Sequence, residues 1–266
     1  MFLKEAALLL AFATVTPTPQ GRTEWIGTTG HRTKARIYTS PQLTTHPTLV
    51  IVLHGDAPFN KPSYQYTVAS RAAASIPDTV VAALLRPGYT DPGNDTSDGI
   101  RGHTTGDNYT PEVLDQLTDA IKTLTNEIQP SHVVLVGHSG GATLSADLIA
   151  RDPHLAQGAL LVSCPCDVPA FRHHMFWIHP NPFWFYPLNS ISPLDSVKDI
   201  DPKTKIRMIV GSNDPIALPV YTTAYTAAVR ARHIDVETVF LPGKEHEIFL
   251  EPAVLDELQK LIVSLR

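Results

Sequence analysis

Ser139 stands in the run Gly137-His138-Ser139-Gly140-Gly141, directly after the apolar stretch Val133–Val136. A serine in Gly-x-Ser-x-Gly, between a strand and a helix, is held on a strained turn that lifts its hydroxyl above the sheet. Small flanking residues permit close packing there, and the N-terminus of the following helix favours a developing negative charge. That pattern predicts a nucleophile; the plainer alternative is a structural glycine corner. Two other chemistries use glycine-rich turns of this kind, and both fail on residues. A phosphate-binding loop needs a lysine and then Ser or Thr after its second glycine, where this chain continues Ala142-Thr143-Leu144. A dinucleotide fingerprint needs glycines at its first, third and sixth positions, but Gly137 is followed by His138 and Ser139.

A serine hydroxyl is a weak nucleophile until a base takes its proton and a third group orients that base. The chain order that suits a strand-to-helix elbow is serine, then acid, then histidine. After the apolar run Lys205–Gly211 comes Ser212-Asn213-Asp214-Pro215, which supplies Asp214. After Val236–Leu241 comes Pro242-Gly243-Lys244-Glu245-His246, which supplies His246. Asp195 and Asp201 are the competing acids, and His103 is the competing base. His138 is expected to pack or shape the elbow. His173, His174 and His179 lie near two cysteines but show no recognised metal-ligand spacing, so no metal is expected.

An oxyanion intermediate needs two backbone donors. The amide of Gly140, after the nucleophile, is one; the loop His54-Gly55-Asp56-Ala57 should supply the other, from Asp56 or, as the alternative, Ala57. A carboxylate beside an oxyanion would oppose it. Asp56 is therefore expected to turn away and pair with Arg86, which ends the next apolar run, the other possibility being a solvated Asp56.

These residues need a scaffold. Thr48–Gly55, Thr79–Leu85, His132–Gly137, Gly158–Ser163, Lys205–Gly211 and Val236–Leu241 are mostly unbroken apolar runs, as strands covered on both faces are. Two earlier, more polar runs, Thr23–Thr28 and Lys34–Ser40, read as a hairpin of edge strands. Helices fall between: one capped by Thr110 with Pro111 first, one after Ser139, one from about Pro219 to Arg232 and one from about Pro252 to Leu265. The alternation predicts an α/β protein, a mostly parallel doubly wound sheet of about eight strands with helices on both faces. Residues 165–193 carry six prolines and many aromatics and are expected as a short cap insertion. Trp177, Phe183 and Trp184 are its candidate substrate contacts.

The chain has 266 residues, 43% hydrophobic and 18% charged, enough for a substantial core. Its 21 Lys and Arg against 26 Asp and Glu leave a net charge of −5 with no basic run, which argues against nucleic acid as a partner. Residues 1–22 read as a signal peptide or leader, with Ala11-Phe12-Ala13 resembling a cleavage site and an apolar stretch too short to span a bilayer. That favours a secreted or periplasmic protein, with cytoplasmic as the alternative. Cys164 and Cys166 are separated by one proline and are expected as free buried thiols, since a bridge that short is strained.

In order along the chain, "LHGD", "GHSGG", "GSNDP" and "GKEHE" resemble an α/β-hydrolase over roughly Thr23 to Arg266, as do "LLRPGYTDPGNDTSDG" and "SCPCDVPAFR". The resemblance implies Ser139 as nucleophile, Asp214 as acid, His246 as base and the Asp56 and Gly140 amides as oxyanion donors, with no cofactor. The family's usual small or apolar residue after His-Gly is here Asp56. The expected activity is acyl transfer from a small or medium apolar carboxylic ester. Alternatives are an aminopeptidase or amidase, with Asp56 or Asp95 binding the amine, and a non-catalytic binding protein of the same fold.

Overall fold

The computed structural model describes residues 20–181, 184 and 189–266. Residues 1–19 of the expected leader, and Phe183, lie outside the described residues. The chain opens with the hairpin β1 (Arg22–Ile26) and β2 (Thr33–Thr39). Then follow β3 (Thr48–Leu53), α1 (Tyr64–Ser75), β4 (Thr79–Leu84), α2 (Pro111–Ile128), β5 (His132–His138) and α3 (Gly140–Arg151). The second half runs β6 (Gly158–Val162), α4 (Val168–Ile178), α5 (Pro193–Ser196), β7 (Lys205–Gly211), α6 (Pro219–Ala231), β8 (Val236–Leu241) and α7 (Pro252–Leu265).

The eight strands form one sheet in the order β1-β2-β4-β3-β5-β6-β7-β8. From β4 to β8 every pairing is parallel, and β2 joins β4 antiparallel. Strand periodicity of two divides the core. Leu49, Ile51 and Leu53 pack with Leu114, Leu117 and Ile121 of α2, while Val50 and Val52 pack with Val68 and Ala72 of α1 and Leu258 of α7. Burying each large aliphatic side chain contributes roughly 1.5–3 kcal/mol, so both faces of β3 are firmly held. The α2 start is as the sequence suggests: the Thr110 side chain accepts from the Val113 amide.

The central strands end level. Leu53 pairs with Leu84 and with Gly137, and His138 pairs with Val162. Chain order reverses between β3 and β5, and the crevice outside the carboxyl ends of strands at such a switch is where ligands of open α/β sheets bind. The loops carrying Asp56, Ser139, Asp214 and His246 all leave the sheet at that end.

Two expectations need correction, and two helices were not foreseen. Of the hairpin strands, β1 alone lies at a sheet edge; β2 lies between β1 and β4 and is largely buried, because Ala35 and Ile37 face the core. Helices α1 and α4 had no clear sequence signal, since half of the buried side of α1 is alanine and α4 sits inside a proline-rich segment. Cys164 and Cys166 are joined in a disulfide. After β6 the chain bends at Ser163 (φ 49°), and the two Cα atoms stand 5.2 Å apart, within the ordinary span of a bridge.

Candidate active site

The turn after β5 forces an unusual backbone on Ser139, with φ 52° and ψ −122°. For a residue with a side chain this is strain, held by the surrounding structure. The Ser139 amide donates to the Val162 carbonyl at 2.8 Å, and its own carbonyl accepts from Ala142 and Thr143. The glycines are steric necessities: a Cβ on Gly137 would lie 2.2 Å from the Gly141 oxygen, and one on Gly141 2.5 Å from the carbonyl oxygens of Leu53 and His54. The turn therefore threads through backbone on both sides and presents Ser139 in one position, 8% exposed.

His246 Nε2 lies 3.0 Å from Ser139 Oγ. On the far side of the ring, Nδ1 lies 2.9 Å from Asp214 Oδ2 and 3.0 Å from Oδ1. A carboxylate only accepts, so Nδ1 carries the hydrogen and Nε2 offers its lone pair to the serine hydroxyl. Asp214 Oδ1 also accepts from the Ile216 and Ala217 amides, each at 2.9 Å, which fixes the carboxylate plane. Asp214 has no exposed side-chain surface and His246 12%. The two loops meet closely: a Cβ on Gly211 would stand 2.3 Å from the carbonyl oxygens of Lys244 and Glu245.

The Gly55–Asp56 loop runs against the serine. A Cβ added to Gly55 would lie 3.0 Å from the Ser139 Cβ, and one on Gly140 2.4 Å from Asp56 Oδ1. The Asp56 carboxylate is fully engaged elsewhere. Arg86 Nη1 donates to Oδ1 at 2.8 Å, while the Gly106 amide and the Tyr109 hydroxyl donate to Oδ2 at 2.8 and 2.7 Å. Arg86 is wholly buried, stacked over Tyr89 and Tyr109, and also donates to the His54 carbonyl. His54 Nε2 accepts from the Arg86 amide, and burial, with Arg86 beside it, holds that ring neutral far below its ordinary pKa.

His138 lies under the site rather than in it. Its ring stacks on Phe249 at 5.3 Å, meets Tyr64 edge-on and stands 5.1 Å from the His246 ring. Burial first, then the neighbouring His246, pushes its pKa down to about 3.

The other candidates fall apart from this group. Asp195 is on α5, and Asp201 accepts from the Lys203 amide in the turn before β7. The His103 amide is tied to Asp107, and His103 lines a separate cleft of about 490 Å³ with Arg101 and Glu112. His174 Nε2 donates to the Pro215 carbonyl, His173 accepts from Trp177, and the His179 carbonyl accepts from Trp184. Asp95 pairs with Lys34 at 2.6 Å.

Of the aromatic candidates, Trp177 is 67% exposed on the outside of α4. Trp184 packs with Phe171, Met175 and Tyr221 against Ile216 and Leu218 of the Asp214 loop. It also lines a cleft of about 500 Å³ with Val168, Arg172 and Phe176, a space that none of Ser139, Asp214 and His246 lines. Sequence reasoning missed Tyr64, Tyr109 and Phe249. Each reaches the site from outside the motif it supports, and none carries a local signal.

Residues 50–197 match the alpha/beta hydrolase family, and the chain belongs to it. The likeness to solved structures extends over nearly the whole chain. The Pyrococcus horikoshii acylaminoacyl peptidase superposes with a TM-score of 0.69 at 11% identity, covering 93% of this chain and 41% of the peptidase. A puromycin-hydrolyzing peptidase of Mycobacterium tuberculosis gives 0.71 at 16% identity, over 94% of this chain and 39% of that one. This chain thus spans about two fifths of either peptidase. Est1E from Butyrivibrio proteoclasticus gives 0.67 at 13% identity and matches end to end, 92% against 99%. No curated protein sequence matches this chain. Among the described residues no helix is long and apolar enough to cross a membrane.

Proposed function

We propose that the chain is a serine hydrolase that cleaves a carboxylic ester of a small or medium apolar substrate through an acyl-enzyme. The observation that carries this reading is the line Ser139 Oγ to His246 Nε2 at 3.0 Å and His246 Nδ1 to Asp214 Oδ2 at 2.9 Å. His246 takes the hydroxyl proton as Ser139 Oγ bonds to the ester carbonyl carbon. The Asp56 and Gly140 amides hold the oxyanion, and Asp214 stabilises the imidazolium and its orientation. As the tetrahedral adduct collapses, His246 passes the proton to the departing alkoxide oxygen, leaving the acyl group on Ser139. A water molecule, deprotonated by the same ring, then attacks the acyl carbon, and the proton returns to Ser139 as the acid leaves.

Ester cleavage is favoured over aminopeptidase action by the fate of the two carboxylates suited to bind an amine. Asp56 is spent on Arg86, Tyr109 and Gly106, and Asp95 on Lys34. Hydrolysis of p-nitrophenyl acyl esters, assayed in parallel with aminoacyl anilides, tests the choice. Esters are expected to react and anilides to lag by at least about tenfold, roughly 1.4 kcal/mol in barrier. Turnover of the anilides alone would reverse the assignment, and turnover of neither would favour a binding protein. Export is part of the same proposal. The Cys164–Cys166 disulfide supports it, since such bonds persist in oxidising compartments, and sequencing the mature N-terminus tests it.

A further inference from the structure

The side chains of His138 and Tyr64 take no part in the proton transfers above, yet they join the two loops that do. The direction of each hydrogen bond between them follows from chemistry. His138 Nε2 lies 3.1 Å from the His246 carbonyl oxygen, which only accepts, so Nε2 carries the hydrogen. In a neutral ring Nδ1 is then the acceptor, and the Tyr64 hydroxyl, 3.0 Å away, donates to it. The Tyr64 oxygen in turn accepts the Gly55 amide at 2.6 Å. One unbroken series therefore runs from Gly55 N–H through Tyr64 O–H to His138, and from His138 N–H to the backbone of His246. Ser163 Oγ donates to the same carbonyl at 3.2 Å and braces it from the bend after β6. The titratable groups near His138 include Tyr64, His246, Asp214 and His54, and its burial keeps the ring neutral.

We infer that His138 and Tyr64 are positioning residues that lock the oxyanion loop at Gly55–Asp56 to the loop carrying His246, keeping hole and base at one spacing across Ser139. The inference rests on the serine-hydrolase reading. Simple packing is the alternative, and Tyr64→Phe separates the two. It keeps the ring against Phe249 and His138 while leaving the Gly55 amide and His138 Nδ1 without the oxygen between them.

With active sites counted by the burst on a p-nitrophenyl ester, Tyr64→Phe is expected to lower kcat about 10- to 100-fold with KM nearly unchanged. His138→Leu should lose a similar factor, and the double variant no more than the worse single one, because both cut one series. His138→Gln, which can still donate to the His246 carbonyl, should recover part of the loss. Unchanged kcat per active site in Tyr64→Phe overturns the inference, even if its melting temperature falls, and so do losses that multiply in the double variant. If His138→Leu does not fold, Tyr64→Phe decides alone. A wild-type protein that is never acylated at Ser139 overturns the hydrolase reading and the inference with it. An acylated, active wild type with an equally active Tyr64→Phe overturns only the inference.

Discussion

Asp214 shows how much one side chain can settle. Its oxygens accept from His246 Nδ1 and from two backbone amides, so the carboxylate holds the ring in the tautomer that leaves Nε2 free for Ser139. Asp214→Asn nearly preserves shape but can present an N–H to the ring and reverse the tautomer. A fall in kcat of about 10⁴ is expected with folding retained, as read by ester kinetics and circular dichroism. A loss under tenfold would mean the base is oriented by something else. The meeting of Ser139, Asp214 and His246 was legible because each follows a recognisable strand in a fixed order. Tyr64 and Tyr109 were not: their oxygens reach the His-Gly loop from nine and 53 residues away, through tertiary packing no motif records.

At the scale of elements, the loop after β3 depends on the end of β4. Arg86 and Asp56 are both buried, at 0% and 4% side-chain exposure, and the pair orients the loop whose amide is assigned to the oxyanion. The need for a cation beside Asp56 could be argued from sequence, and Arg86 identified, because a lone carboxylate there would repel the developing charge. The Gly106 and Tyr109 donors could not, since the stretch between β4 and α2 has no periodicity to place it. Arg86→Met strands the carboxylate and is expected to cost about 3–5 kcal/mol in urea denaturation, with lowered ester turnover. Full stability and activity in that variant would show the pair to be dispensable. Strands β3 to β8 were readable as apolar runs within a residue or two of their observed ends. The inner position of β2 and the disulfide were not, because sheet order and the bend at Ser163 are set by packing.

The whole molecule should be bounded in pH on both sides by buried groups. His138, held down to about 3 by burial and by His246, must gain a proton on unfolding below its ordinary value near 6.5. Between those values the unfolded chain binds more protons, so stability is full above about pH 6.5 and falls toward pH 3. Asp147 on α3 acts in the opposite sense. Neither of its carboxylate oxygens has a hydrogen-bond partner among the described residues, and burial, reinforced by Asp195, raises its pKa far above the usual range. The folded chain then holds the extra proton, so that contribution is full below the unfolded value near 3.9 and is lost as pH rises. Asp147→Leu is expected to add about 1–3 kcal/mol at neutral pH and to flatten the loss of stability as pH rises from about 3.9 in urea titrations. A destabilised Asp147→Leu would mean that the carboxyl has a favourable partner.

The most direct measurement is labelling of the purified protein by a fluorophosphonate probe, with the adduct mapped by mass spectrometry. A single adduct on Ser139 is expected, absent in Ser139→Ala and strongly slowed in His246→Gln. No adduct, or one that forms equally fast without His246, would contradict activation of that hydroxyl by the imidazole 3.0 Å away.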